Sequence, residues 1–278
     1  MIDDDAKQSF DQHGYVVARS LFGAEQTALL RDHFMVLRAA GSYPGDVIGV
    51  EPGSDDPLKR YPRMIHMHRW DEVALDWLID ARLAQSLATL LGGLEPFAVQ
   101  TMLYFKPPGA RGQAVHQDQY YLRAQPGSCI AAWMALDCCD EENGCLEVVP
   151  GSHEWPVLCP IGADTSESFT DITVPLPDGT ELVPVLMEPG DVLFFNGSLV
   201  HGSKPNRSAR FRRALIGHYI QGDAWEVAHW YHPVLRMDGT EVELNAGIGG
   251  GPCGEWVDHD GRPVIELTGV AADPRSTE

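Results

Sequence analysis

No stretch of about 18 apolar residues occurs in the 278-residue chain, so a transmembrane helix is not expected. Basic residues are scarce: 20 Lys and Arg stand against 40 Asp and Glu, a formal net charge of −20. That balance excludes the basic stripe of a nucleic-acid binder and opposes docking on anionic membranes. The six cysteines (Cys129, Cys138, Cys139, Cys145, Cys159, Cys253) contain no Cys-x-x-Cys pair. They read as free thiols rather than as a disulfide framework or a zinc site. The first residues, Met1-Ile2-Asp3-Asp4-Asp5, are acidic where a secretion signal is basic and then apolar, so the expected location is cytoplasmic. Internal repeats, heptads and low-complexity tracts are missing too. What is present is a globular composition, 44% hydrophobic, enough for a substantial core.

The pattern changes along the chain. Ala6 to His13 and Glu25 to Arg38 read as helices, the second from Leu29, Leu30, Phe34 and Leu37 at helical spacing. Tyr15 to Ala18 is a short strand between them. Val73 to Ile79 and Leu83 to Leu91 form a second helical pair, stopped by Gly92-Gly93. From Phe97 onward the runs are short: Phe97 to Phe105, Ala131 to Leu136, Cys145 to Val149, Val192 to Phe195 and Arg213 to Ile220. Turn residues such as Glu142-Asn143-Gly144 and Pro189-Gly190-Asp191 separate them. The expected fold is mainly β with N-terminal helices, a jelly roll or double-stranded β-helix of the cupin-like kind. One domain is expected over 1–278: a helical support layer (1–96), a jelly-roll core (97–220) and a C-terminal extension over the barrel (221–278). Pro156 to Pro184 is polar and weakly periodic, either disordered or a lid. The tail carries Trp225, Trp230, Tyr231 and glycines at 247, 249, 250, 251 and 254, and Asp273 to Glu278 are expected to fray.

The chemistry concentrates on His116-Gln117-Asp118 and the distant His201. Two imidazoles and one carboxylate are the protein ligands of non-haem iron(II) oxygenases, and they leave three positions of the metal open. Gln113 to Asp118 is expected to form one strand, in which residues two apart share a face. Arg212 follows His201 on the next strand and can fork both oxygens of a carboxylate. Ser203 is placed to join that carboxylate, and Trp133 to wall the pocket.

These residues resemble the phytanoyl-CoA dioxygenase family of Fe(II)/2-oxoglutarate-dependent oxygenases. The resemblance runs over roughly Gln100 to Tyr219 and more loosely over the N-terminal helices. Besides His116-Gln117-Asp118 it rests on Gln100-Thr101-Met102-Leu103 with Lys106-Pro107-Pro108, Glu142-Asn143-Gly144-Cys145-Leu146, Val149-Pro150-Gly151-Ser152-His153, Gly190-Asp191, His201-Gly202-Ser203 and Phe211-Arg212-Arg213-Ala214. It implies His116, Asp118 and His201 as iron ligands, with the distal carboxylate of 2-oxoglutarate on Arg212. Arg213 is the competing assignment. Met102 and Trp133 match positions lining the co-substrate pocket, Gln100 or Tyr104 adds a hydrogen bond, and Arg63 aligns loosely with a co-substrate contact. The family's chemistry is oxidation of a small-molecule substrate with Fe(II), 2-oxoglutarate and dioxygen (O2), releasing succinate and CO2. Halogenating relatives have a small residue where Asp118 stands, so a carboxylate there favours hydroxylation. A CoA thioester is not implied, and the oligomeric state is not addressed.

Other readings of these residues are weighed beside this one. His153 reads as a turn residue bonded to backbone, His66 and His68 as surface or pocket-rim residues, and His218 as core or as an outer partner of the metal ligands. Tyr120, by parity with His116 and Asp118, is expected to face the substrate, and Trp225 to contact it or to pack the tail. Desaturation, epoxidation or cyclisation use the same site. A non-catalytic cupin-like metal-binding or sensing protein is the rival of another class, and it gives no reason for Arg212.

Overall fold

The computed structural model describes residues 2–46, 48–248 and 253–267. Helices come first: α1 (Asp4–His13), α2 (Ala24–Ala39), a single turn α3 (Pro57–Arg60), α4 (Glu72–Leu78), α5 (Ala81–Leu90) and, much later, the short α6 (Gln119–Leu122). Aspartates start most of them by accepting from free backbone N–H groups. Asp3 accepts from Ala6, Asp71 from Ala74 and Asp80 from Arg82.

Eight strands form the main sheet, in the order β1 (Tyr15–Ala18), β10 (Val192–Asn196), β5 (Ile130–Ala135), β12 (Ala214–Gln221), β3 (Pro96–Tyr104), β14 (Val234–Arg236) and β15 (Glu241–Val242), with β2 (Met64–Ile65) also on β3. A smaller sheet faces it, in the order β4 (Gln113–His116), β11 (His201–Ser203), β6 (Leu146–Val148) and β9 (Val183–Val185). The expected jelly roll is therefore present. The segment boundaries are less clean than expected: β1 and β2 come from the helical layer, and β14 and β15 from the C-terminal extension. Short ribbons complete the chain: β7 (Ile161–Gly162) with β8 (Ile172–Thr173), β13 (Glu226–Ala228) with β16 (Asn245–Gly247), and β17 (Gly254–His259) with β18 (Arg262–Leu267).

The main sheet is buried on both faces, which is why its strands read as continuous apolar runs. On β5, Ala132 and Met134 pack with Phe34, Leu78, Leu83 and Leu87 of the helices, whereas Ala131, Trp133 and Ala135 turn into the barrel. On β10 the split is Val192 and Phe194 outward, Leu193 and Phe195 inward.

Two expectations need correction. Cys159 and Cys253 form a disulfide, leaving Cys129, Cys138, Cys139 and Cys145 as the free thiols among the described residues. The bridge spans 94 residues of sequence and has no local signature. It forms where Val157 pairs with Gly254 through two backbone hydrogen bonds of 3.0 Å, beside the start of the β17 strand. Gln113 to Asp118 is not one strand either. Strand β4 ends at His116, and Asp118 has helical backbone angles (φ −64°, ψ −31°) at the start of α6. The 156–184 segment is an ordered wall rather than a disordered loop. Glycines 249, 250 and 251 and the expected fraying of Asp273 to Glu278 lie outside the described residues.

Candidate iron and 2-oxoglutarate site

Strand register brings the two histidines together. His201 stands directly opposite His116 across β11 and β4, and their ring centroids are 4.3 Å apart. Strand β4 carries one extra residue there, since Ser203 pairs with Gln113 (203 − 201 = 2 against 116 − 113 = 3). Bulges of this kind re-aim side chains beside active sites. Gly202 permits the close approach, because a Cβ at that position would stand 2.9 Å from the Gln113 carbonyl oxygen.

Asp118 arrives from the turn rather than by strand alternation. The turn is locked by Gln117, which is fully buried. Its amide donates to the Ser198 carbonyl (2.8 Å) and the Pro156 carbonyl (3.1 Å), and its oxygen accepts from Leu158 N (2.8 Å). Asp118 Oδ1 then lies 3.4 Å from His116 Nε2 and 3.8 Å from His201 Nε2. The three ligand atoms lie within 4.8 Å of one another, the one such group of His, Cys, Asp or Glu found among the described residues.

Protonation suits a cation. His116 Nδ1 donates to the Ala114 carbonyl and His201 Nδ1 to the Leu199 carbonyl, both at 2.9 Å. With Nδ1 protonated, each Nε2 is left as a lone-pair donor facing Asp118. Burial and the adjacent His116 pull His201 down to about 4, so its ring is neutral. Burial opposes ionisation of Asp118, yet the imidazoles around it, His201 first, hold its carboxyl well below the usual carboxylate range. Two imidazole nitrogens with one carboxylate are a donor set that fits iron(II).

A second set of residues lies beyond Trp133. Arg212, 4% exposed, donates from Nε to the Gly144 carbonyl (3.2 Å), and its guanidinium carbon is 5.2 Å from the Trp133 ring centre. Arg213 instead makes a two-point ion pair with Asp137, at 2.7 Å for each contact. Arg213 thus already has a carboxylate partner, whereas Arg212 has none among the described residues. Lys106, not singled out by the sequence beyond its place in Lys-Pro-Pro, is also buried here. It donates to Ser203 Oγ and the Gly144 carbonyl, both at 2.9 Å, and to the Lys204 carbonyl. Its backbone has φ 29°, a strained left-handed value for a residue with a Cβ. Gly144, with φ 69°, is needed below it, since a Cβ there would stand 2.7 Å from Lys106 Nζ. Burial first, and Arg212 second, push Lys106 well below its ordinary pKa. The hydrogen bonds of Arg212 and Lys106 go to carbonyl and hydroxyl oxygens, and no carboxylate pairs with either among the described residues.

Around the triad is a cavity of about 700 Å³. Gln100, Met102 and Tyr104 line it from β3, Trp133 from β5 and Arg63 from the segment before β2. Arg63 stands 3.4 Å from the Tyr104 hydroxyl, close to the ring of Phe169. Thr170, Asp171 and Ile172 of the 156–184 segment close one side, so that segment is a wall of the site. Tyr121, not Tyr120, lines the cavity, with its ring 6.1 Å from that of His116. The parity argument failed because the chain turns helical at Asp118. Trp230 and Tyr231 line it as well, whereas Trp225 packs near Arg262 and His259. His66 is in the cavity wall. His68 is not on a rim: it is 5% exposed and bonded to Thr101. His153 does bond backbone, at the Asp11 carbonyl.

The family pattern described as phytanoyl-CoA dioxygenase matches residues 10–214. The chain belongs to the phytanoyl-CoA dioxygenase family. It is a 2-oxoglutarate-dependent dioxygenase, with iron, 2-oxoglutarate and dioxygen as cofactor and co-substrates. Phytanoyl-CoA dioxygenase 1 of Oryza sativa subsp. japonica is 29% identical over 261 residues, covering 82% of this chain and 92% of its own. EctD from S. alaskensis, solved with 2-oxoglutarate and 5-hydroxyectoine, is 26% identical with a TM-score of 0.63, covering 79% of this chain and 76% of its own. The epimerase SnoN, solved with Fe3+, alpha ketoglutarate and nogalamycin RO, shares the fold (TM-score 0.62) at 17% identity, over 93% and 96% of the two chains. The rival reading as a non-catalytic metal-binding protein is set aside by this family membership.

Proposed function

We propose that this dioxygenase hydroxylates a small organic metabolite, with His116, Asp118 and His201 holding iron and Arg212 holding the distal carboxylate of 2-oxoglutarate. The observation that carries this is the pairing of two sites across one wall. Tyr104, Gln113, Trp133 and Leu146 line both the triad's cavity and the slot that contains Arg212, Lys106 and Ser203. A dicarboxylate reaching from iron to Arg212 uses both ends. When bound, iron with 2-oxoglutarate and dioxygen supplies oxidation of an unactivated C–H bond, coupled to release of succinate and CO2.

The chain's own residues set the stage for that chemistry. Arg212 offers a planar fork to the carboxylate, and Lys106 adds charge while donating to Ser203 Oγ, which frees the Ser203 proton for the same carboxylate. Met102 and Trp133 exclude water along the chain of the co-substrate, Gln100 or Tyr104 supplies a hydrogen bond, and Arg63 stands at the substrate side. Tyr121, Trp230 and Tyr231 take the place of Tyr120 and Trp225 as substrate contacts. Asp118 fills with a carboxylate the place a halide needs, which favours hydroxylation. Desaturation, epoxidation or cyclisation use the same residues; product mass separates gain of one oxygen from loss of two hydrogens.

Helices, barrel and C-terminal extension act as one catalytic unit, since Trp230 and Tyr231 of the extension complete the cavity. No helix among the described residues is long and apolar enough to cross a membrane. A cytoplasmic location stays part of this reading. It is tested by cell fractionation, in which the protein is expected with the cytosolic enzymes.

The direct test is anaerobic. Iron(II) and 2-oxoglutarate added to the purified protein are expected to give a visible charge-transfer band, and Asp118→Ala is expected to lose both the band and succinate formation. A variant that still forms succinate at the parent rate overturns the ligand assignment.

A further inference from the structure

His218 is 4% exposed, on the inward row of β12 with Ala214 and Ile216. Its Nε2 lies 3.1 Å from Asp118 Oδ2, while the other carboxylate oxygen, Oδ1, is the one that faces His116 and His201. The β-sheet backs this placement: His218 pairs with Gln100, and the next residue, Tyr219, pairs with Ala98, so Val99 is an extra residue on β3 at that level. Tyr219, next along β12, faces the helix side by strand alternation, and its hydroxyl donates to the Leu78 carbonyl.

An ionised carboxylate only accepts hydrogen bonds, so the shared proton sits on His218 Nε2. Nδ1 of His218 is buried and has no partner among the described residues. Among the described residues, Asp118 Oδ2 is thus the hydrogen-bond partner of the His218 side chain.

We propose that His218 is a positioning residue that selects the metal-facing oxygen of Asp118 and keeps the carboxylate bound through that oxygen alone. This rests on His116, Asp118 and His201 being the iron ligands. A carboxylate can meet iron through one oxygen or two. Three protein atoms leave three of six positions open, two for 2-oxoglutarate and one for dioxygen. A second oxygen from Asp118 would take the last of these. The donated proton at Oδ2 directs that oxygen's lone pair away from the metal, so the dioxygen position stays free. Second partners of this kind commonly change metal affinity 10- to 100-fold.

The experiment uses the full-length protein and its variants His218→Leu, His218→Gln and Asp118→Ala, titrated anaerobically with iron(II) and then 2-oxoglutarate. Nitric oxide, a dioxygen surrogate, reports the remaining position by electron paramagnetic resonance. His218→Leu is expected to weaken iron binding about 10- to 100-fold and to lose most of the nitric oxide signal at saturating iron and 2-oxoglutarate. His218→Gln, whose amide can donate from the same place, is expected to stay near the parent in both. If His218→Leu does not fold, His218→Met fills the slot without a donor and takes its place. Parent-like iron and nitric oxide binding in the donor-free variant overturns the proposal while the ligand assignment stands, provided Asp118→Ala loses iron. Equal loss in His218→Gln overturns it too, because shape rather than the proton is then responsible. Retained iron binding in Asp118→Ala sinks the ligand assignment itself.

Discussion

The barrel interior and its roof are built on different physical grounds. Inside, His116, His201, Trp133 and Arg212 sit on or next to strands whose partners fix them to within one residue. The roof is made of short ribbons, turns and single side chains: Thr170 to Ile172 from one segment, Trp230 and Tyr231 from another. A slip of one residue in the interior would turn every inward side chain outward. No such constraint acts on the roof, whose pieces are tied by individual bonds. Among these are Val174 N to the Val115 carbonyl, Trp256 Nε1 to the Trp155 carbonyl, and the Cys159–Cys253 bridge. The difference teaches where to look for each property. On the function proposed above, reaction type belongs to the interior and substrate choice to the roof, and each variant below tests one half of that division.

The sharpest contrast inside the barrel is between neighbours. Arg212→Ala is expected to raise the 2-oxoglutarate requirement on the order of 100-fold, since a buried two-point carboxylate contact is lost. Arg213→Ala should leave that requirement unchanged and lower unfolding stability by about 1–3 kcal/mol through loss of the Asp137 pair. Succinate assays at varied co-substrate, with urea unfolding, separate the two. The opposite result would exchange their roles.

At the roof, Cys159→Ser is expected to lower stability by about 2–4 kcal/mol, read as a drop in Tm. The iron and 2-oxoglutarate band should persist, because neither cysteine lines the cavity. Loss of the band would erase the distinction between the two regions. A smaller effect is expected from Trp230→Ala, a change in substrate KM of about tenfold with unaltered affinity for 2-oxoglutarate. Trp225→Ala, outside the cavity, should match the parent.

The smallest effect concerns acid stability. Burial, with Arg69 nearby, pulls His68 down to about 4, below its ordinary 6.5. The unfolded chain thus binds a proton that the folded chain refuses, so the contribution of this residue is complete above about pH 6.5 and fades as pH falls towards 4. His68→Gln should flatten that acid limb in urea unfolding measured across pH. An unchanged slope would mean that His68 is solvated.

Much of the interior was legible because its signals are local. Apolar runs marked β5, β10 and β12, and the ligand residues were few and chemically distinctive. Lys106 was not, because a lysine in a turn looks like surface until Gly144, Ser203 and Lys204 are folded around it. Tyr120 was preferred to Tyr121 because alternation was carried through Asp118, where the backbone is already helical. Six cysteines read as six thiols because nothing in the spacing of Cys159 and Cys253 says that Val157 and Gly254 pair.

The sequence by itself determined the fold class and singled out His116, Asp118 and His201, the residues that the fold then gathers into one cluster, because apolar patterning and side-chain chemistry are properties of short segments. Tertiary structure alone decided that Arg213 pairs with Asp137, that His218 meets Asp118, and that Trp230 rather than Trp225 reaches the cavity. Those outcomes depend on contacts between residues far apart in the chain, and such contacts exist only once the sheets have closed.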